Sequence, residues 1–173
     1  MNKMQEIRIE KITLNIGVGE AGDKLDKAVS LLKEISRAKP VKTKTMKRVP
    51  TWNIRPKLVI GTKVTLRGKK AEDVLRRLLK SVNNKIHIKK FDEYGNFSFG
   101  IKEYINIPEV EYHPEIGIIG LEAAVTLERP GFRIKRRVLK KSRIGKKHII
   151  TKENAMDFIR NKFNIETVEK EEE

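Results

Sequence analysis

Lys11-Ile12-Thr13-Leu14-Asn15-Ile16-Gly17 alternates apolar and polar side chains without a break, and Leu58-Val59-Ile60-Gly61-Thr62-Lys63-Val64-Thr65-Leu66-Arg67 does so again. A period of two is the pattern of a half-buried strand. In the first stretch Ile12, Leu14 and Ile16 point one way; in the second Leu58, Ile60, Thr62, Val64 and Leu66 do so. Each stretch is followed by a segment of helical period. Leu25, Val29, Leu32 and Ile35 mark a helix from Asp23, read as its cap, to about Lys39, with Pro40 ending it. Val74, Leu75, Leu78, Leu79 and Val82 mark a second helix over roughly Lys70 to Val82. If the two strands join one sheet, their apolar sides face these helices. The opposite side then presents Lys11, Thr13, Asn15, Lys63, Thr65 and Arg67. The fold class is therefore α+β, an antiparallel sheet with helices packed on one face.

Further along, Phe91 to Gly95 reads as a mobile stretch, followed by strand-like Phe97-Ser98-Phe99 and Ile105 to Ile107. Leu121, Ala123, Val125 and Leu127 form another alternating strand. Thr151 is a candidate N-cap for a short helix with Ala155, Phe158, Ile159 and Phe163 inward. The chain reads as a single domain over residues 1–166 and an acidic, disordered tail over 167–173.

The acids are not evenly spread. From Ile35 to Ala71 there is no Asp or Glu against twelve Lys and Arg, and from Arg129 to Lys152 none against eleven. The remaining 112 residues hold all 23 acids and only 16 bases, so the formal charge of +16 comes from two cationic blocks. Segregated positive charge repels itself, and a polyanion offsets it. Nucleic acid is the leading partner, because neutralised phosphates release counterions. The absence of Cys excludes a disulfide scaffold, a Cys-containing zinc site and a thiol nucleophile. The N-terminal Met-Asn-Lys-Met-Gln-Glu has no apolar signal core, and no apolar run approaches the ~20 residues that span a bilayer. Pro40, Pro50, Pro56, Pro130 and Gly131 interrupt the basic blocks, which argues against a membrane-surface helix. No membrane partner is expected.

An exposed sheet face with hydroxyl and amide groups among cations suits a sugar-phosphate backbone, and the wide minor groove of double-helical RNA displays 2′-hydroxyls to it. An ordinary solvated sheet face carries the same residue types, and these positions alone do not choose. One motif points elsewhere. Gly17-Val18-Gly19-Glu20-Ala21-Gly22 satisfies G-x-G-x-x-G between strand and helix. The acid that should follow some twenty residues on falls in an acid-free block, Glu20 would sit against the pyrophosphate, and the later pattern runs to consecutive strands. A tight turn is the better use of these glycines. His87, His113 and His148 lack metal-ligand spacing, and Glu109, Glu111 and Glu115 lie near His113 in a proline-bracketed loop. Neither cofactor nor metal is expected. Phe97, Phe99 and Ile101 have strand periodicity and read as core in preference to a base-stacking platform. Trp52 reads as packed under its basic loop in preference to stacked on a nucleotide.

Several stretches, in order along nearly the whole chain, resemble the family of large-ribosomal-subunit protein five. They are Asn15-Ile16-Gly17-Val18-Gly19-Glu20, Lys39-Pro40-Val41-Lys42-Thr43-Lys44, Ile60 to Arg67, and Gly95-Asn96-Phe97-Ser98-Phe99-Gly100-Ile101-Lys102-Glu103. Arg129-Pro130-Gly131-Phe132-Arg133, Ile144-Gly145-Lys146-Lys147-His148 and Thr151 onward are similar to the archaeal and eukaryotic branch. The resemblance implies a non-catalytic, ribosome-bound cytoplasmic protein of the central protuberance that binds 5S rRNA. The family's RNA-facing sheet positions fall on Asn15 and Thr65; with Lys11, Thr13, Lys39, Lys42, Thr43, Lys63 and Arg67 they make the expected 5S rRNA set. The loop after Pro40, carrying Lys44, Lys47, Arg48 and Arg55, corresponds to the loop that reaches P-site tRNA. The second basic block, Arg133, Arg136, Arg137, Lys140, Lys141, Arg143, Lys146 and Lys147, is assigned to large-subunit rRNA. A bridge to a small-subunit ribosomal protein is also implied, without residues. Where many members carry Gln before the Lys-Pro pair, this chain has Ala38, so that side chain's hydrogen bond is lost. A nucleotide-dependent enzyme built on the glycine turn, or an RNA chaperone free of the ribosome, are the rival readings.

Overall fold

A computed structural model describes residues 2–168. Strand β1 (Arg8–Gly17) forms where the alternation is strictest: Ile12, Leu14 and Ile16 are buried, while Lys11, Thr13 and Asn15 on the other side are half-exposed. The chain continues through helix α1 (Asp23–Ser36), strands β2 (Val41–Lys44) and β3 (Val59–Leu66), helix α2 (Lys69–Ser81) and strands β4 (Lys85–His87), β5 (Phe97–Ile101) and β6 (Leu121–Glu128). The single turn α3 (Arg133–Arg136), helix α4 (Lys152–Phe163) and strand β7 (Glu166–Val168) complete it. Five strands form one sheet in the order β2-β3-β1-β6-β5, and every neighbouring pair is antiparallel. Strands β4 and β7 pair in parallel as a separate ribbon.

The helices cover one face. Ala71, Val74, Leu75, Leu78 and Leu79 of α2 are buried, as are Leu25, Ala28, Leu31, Leu32 and Ile35 of α1. These stripes meet the inward row of β1 together with Val64 and Leu66 of β3, Phe97, Phe99 and Ile101 of β5, and Leu121, Ala123, Val125 and Leu127 of β6. Fully burying each Ile, Leu or Phe stabilises the fold by about 1.5–3 kcal/mol before chain entropy is counted. Phe97 and Phe99 are core, as their periodicity indicates, with Phe91 stacked on Phe97 at 5.1 Å.

Five local expectations change. Helix α1 ends at Ser36, not near Lys39: Arg37 takes the left-handed conformation, and the Ser36 hydroxyl donates to the Leu32 carbonyl. Asp23 lies inside the first turn, where its charge favours the helix N-terminus, and Gly22 is the cap residue. Ile105 to Ile107 is no strand; Tyr104–Asn106 forms a tight helical turn that buries Tyr104 completely. The stretch Phe91 to Gly95 is pinned. Asp92 Oδ1 accepts from the amides of Tyr94 at 3.0 Å and Asn96 at 2.6 Å, and Asn96 Nδ2 donates to Asp92 Oδ2 at 2.7 Å. Strand β7 takes in Thr167 and Val168, the start of the stretch read as a tail; residues 169–173 lie outside the described residues.

Gly95 closes that turn with φ +76°, a conformation costly to other residues, and a Cβ there would meet Ile150 Cγ2 at 2.5 Å. Gly95→Ala combines backbone strain with overpacking and should lose about 2–4 kcal/mol of stability. Thermal unfolding followed by circular dichroism should show a midpoint lower by roughly 5–15 °C; an unchanged midpoint would contradict the tight packing of this turn.

Candidate nucleic-acid interface

The face of the sheet turned away from α1 and α2 is built by register. Thr13 pairs with Thr65 on one side and Ala124 on the other, and Ala124 pairs with Ser98. The next row runs Val41, Lys63, Asn15, Glu122 and Gly100 across all five strands. At ~4.8 Å per strand spacing this row is about 19 Å long. Lys11 pairs with Thr126, and Arg67 lies one residue past the end of β3. Paired residues share a face, so Lys11, Thr13, Asn15, Lys63 and Thr65 stand together as the alternation implies. Thr43 joins them, opposite Gly61. A Cβ at Gly61 would come within 2.9 Å of the Ile16 carbonyl and 3.0 Å of Thr43 Oγ1, so the strands can approach here only around glycine.

Two of the expected residues stand apart. Lys42 pairs in register with buried Thr62 on the helix side, and its Nζ lies 2.6 Å from Asp26 Oδ1 of α1. Lys39 is exposed in the short connection before β2. Residues that the charge pattern did not single out complete the face: Val41, Ser98, Gly100, Glu122, Ala124 and Thr126. The alternation of β5 and β6 implies that Ser98, Glu122, Ala124 and Thr126 turn outward, but which strands they flank is not written in it.

The basic stretch between β2 and β3 is a hairpin extension. Its stem is closed by Thr45 N–H donating to the Leu58 carbonyl at 2.9 Å and Lys57 N–H to the Thr45 carbonyl at 2.8 Å, with a further bridge between Val49 and Ile54. Ile54, not Trp52, is the residue that buries. Trp52 is 72% exposed at the end of the turn Pro50–Trp52, against the expectation that it packs beneath the loop. Met46 is exposed as well, as are Lys44, Lys47, Arg48 and Arg55 along the same hairpin.

The second basic block follows β6. Arg136 is held against the sheet while its side chain stays 48% exposed: its guanidinium bonds Glu10, in a bulge of β1, and Glu128, the last residue of β6. Arg8 Nη2 reaches Glu128 Oε1 at 2.7 Å. Both acids have side chains about one-tenth exposed, where an unpaired carboxylate would be costly, so Arg136 ties the block to the sheet. Arg133, Arg137, Lys140, Lys141, Arg143, Lys146 and Lys147 remain exposed, although Arg137 Nε donates to the Lys140 carbonyl at 2.7 Å and curls the segment. His148 Nε2 lies 2.9 Å from the Pro130 carbonyl and edges onto Phe132, closing the segment's base.

The glycine turn has no free cradle. The amides of Val18 and Gly19 both donate to the Ile60 carbonyl, at 2.9 and 3.0 Å, and the flanking strands are antiparallel. A dinucleotide fold needs those amides on the pyrophosphate and a parallel sheet. His113 Nε2 pairs with Glu34 Oε2 at 3.1 Å, and Glu109 lies near Arg37 and Arg77. Among the described residues no group of three or more His, Asp or Glu could hold a metal, and no helix is long and apolar enough to cross a membrane.

Comparison with known proteins identifies the family. Residues 2–55 match the family model described as Ribosomal protein L5, and residues 59–158 match the model for the C-terminus of the same ribosomal family. The chain is 50% identical over 170 residues to the large ribosomal subunit protein uL5 of Sulfurisphaera tokodaii, covering 98% of this chain and 96% of that one. It is 53% identical over 166 residues to uL5 of Nanoarchaeum equitans, covering 95% and 98%, and 44% identical over 168 residues to uL5 of Methanobrevibacter smithii, covering 97% and 99%. Matches of this extent take in the sheet, its helices and both basic appendages. The chain therefore belongs to the ribosomal protein L5 family and is a ribosome-bound structural constituent of the large ribosomal subunit, not an enzyme.

Proposed function

We propose that the open sheet face binds 5S rRNA and that the β2–β3 hairpin contacts P-site tRNA. The observation that carries the reading is the joined row of Thr65, Thr13, Lys63 and Asn15 in adjacent register, uncovered by any other part of the described chain. Its cations, Lys11, Lys63 and Arg67, supply phosphate contacts; Thr13, Thr43, Asn15 and Thr65 offer hydroxyl and amide partners to 2′-hydroxyls and base edges. Lys39, beside β2, extends the cationic rim. Lys42 and Arg136 are already engaged by acids, through Asp26 and the Glu10–Glu128 pair, although both side chains remain about half exposed. The exposed cations of the second block, Arg133, Arg137, Lys140, Lys141, Arg143, Lys146 and Lys147, are assigned to large-subunit rRNA, and a bridge to a small-subunit ribosomal protein belongs to the same reading.

Lys63 and Arg67 are tested by salt. Each phosphate contact contributes about 0.7–0.9 to the log–log slope of affinity against salt concentration. The Lys63→Ala, Arg67→Ala double variant should therefore bind 5S rRNA with a slope shallower by roughly 1.4–1.8 in filter-binding titrations. An unchanged slope removes them from the phosphate contacts.

The uncharged residues should behave differently. Asn15→Ala and Thr65→Val leave RNA donors or acceptors unpaired and should each cost about 1–3 kcal/mol of 5S affinity with the salt slope nearly intact. Equal loss on an unrelated RNA duplex would speak for misfolding or non-specific contact instead.

For the hairpin, replacing Lys44, Lys47 and Arg48 with Ala should leave thermal stability and 5S binding almost unchanged, since exposed charges contribute little to folding. Reconstituted ribosomes carrying that variant should release P-site tRNA faster at a fixed salt concentration. Equal off-rates, or a collapse of 5S binding, would count against the tRNA assignment.

A further inference from the structure

Glu122 is an acid in the middle of a surface that is otherwise cationic or neutral. It stands on β6 in the row Val41, Lys63, Asn15, Glu122, Gly100, flanked by Asn15 of β1 and Gly100 of β5. It is exposed. The other two acids at this side of the sheet, Glu10 and Glu128, are neutralised by Arg8 and Arg136. Glu122 has no such partner among the described residues: Lys63 is two strands away, and Lys102, just past β5, closes no ion pair on it. An unpaired carboxylate beside a phosphate backbone weakens binding unless it meets a hydrogen-bond donor.

The surroundings restrict what that donor can be. An ionised carboxylate only accepts hydrogen bonds. In double-helical RNA the phosphates, ribose ring oxygens and base carbonyls only accept as well. The major groove is too deep and narrow for side chains standing on a flat sheet, whereas the minor groove is wide and shallow. The donors left on its edge are 2′-hydroxyls and the guanine amino group. The ground around Glu122 admits a groove edge closely, since its neighbours are Gly100, Ala124 and Ser98 and a Cβ on Gly100 would meet nothing within 4 Å. Along the row, Lys63 offers a charge for phosphate, Asn15 an amide that both donates and accepts, and Glu122 acceptors only, over about 10 Å. That sequence of groups matches a path from the backbone of an RNA helix onto its minor-groove edge.

Resting on the assignment of this face to RNA, we propose that Glu122 is a specificity-determining residue that accepts hydrogen bonds from minor-groove donors of a double-helical RNA and excludes phosphate from that position. The carboxylate gives up non-specific affinity and gains discrimination: RNA docked in another register places a phosphate against it.

The sign of the effect tests this. The full chain carrying Glu122→Ala or Glu122→Gln is titrated by filter binding at one salt concentration with 5S rRNA and with an unrelated RNA duplex. Glu122→Ala should bind 5S rRNA about fivefold to fiftyfold more weakly, and the unrelated duplex as well as wild type or better. Tighter or unchanged binding of Glu122→Ala to 5S rRNA overturns the proposal, because the acid would then only repel phosphate or touch nothing. The donor is identified by analogue interference, with 5S rRNA carrying scattered 2′-deoxy nucleotides or inosine. Positions that weaken wild-type binding but not Glu122→Ala binding report a 2′-hydroxyl or a guanine amino group respectively, and no such position overturns the proposal. Asn15→Ala separates the two readings. If it weakens 5S binding while Glu122→Ala does not, only the role of Glu122 fails; if neither does, the face assignment fails with it. Wild-type unfolding midpoints for both Glu122 variants show that the exposed substitution leaves the fold intact.

Discussion

The central position of β1 between β3 and β6 is the constraint on which the rest of the molecule depends. Its inward residues Ile12 and Leu14 have no exposure and Ile16 almost none, so a slip of one residue would turn three large apolar groups to water and three polar ones into the core. Register is therefore held by burial. That single choice places Asn15 between Lys63 and Glu122 and Thr13 between Thr65 and Ala124. The composition of the open face is a by-product of packing the closed one. The helices need no RNA to dock, because the stripes of α1 and α2 already match the inward rows.

Charge is arranged in two ways that serve different ends. Where a cation meets acids of low exposure, as half-exposed Arg136 meets Glu10 and Glu128, the interaction holds the second basic block to the sheet, and removing the arginine would leave nearly buried carboxylate charge short of a partner. Where cations are exposed and unpartnered by acids, in the hairpin and along residues 133–147 apart from Arg136, the protein carries self-repulsion that a polyanion relieves. The bulge at Glu10 serves the first, since the extra residue in β1 leaves a carboxylate beside Arg136 while the ladder resumes at Lys11.

The hairpin shows how an exposed basic segment keeps a shape. Ile54 anchors it, and two backbone hydrogen bonds at Thr45 with the Val49–Ile54 bridge fix its stem, so Trp52 and Met46 are presented on a framed loop. An indole held at the surface loses little freedom on binding and has a polar N–H at one edge, which suits contact with a flat partner.

Much of this was legible in the sequence, because a period of two or of 3.6 is a local property of the chain. The inward rows of β1, β3 and β6, the stripe of α2, the Thr151 cap of α4 and the polar character of Thr13, Asn15, Lys63 and Thr65 could all be read from spacing alone. So could the two cationic blocks, and with the family resemblance the ribosomal identity. Elements held by partners distant in sequence could not be. The parallel pairing of β4 with β7 joins segments some eighty residues apart and is too short to show periodicity. The end of α1 at Ser36 is tied by a serine hydroxyl that donates to the Leu32 carbonyl and accepts from the Ala38 amide, which composition does not flag. That Ile54 and not Trp52 is the buried residue of the hairpin depends on the folded hairpin, and the diversion of Lys42 and Arg136 into ion pairs follows from which acids the fold brings beside them. Sequence determines which side chains leave the core; only the order of strands in the sheet decides which of them become neighbours, because that order is set by burying all the inward rows at once.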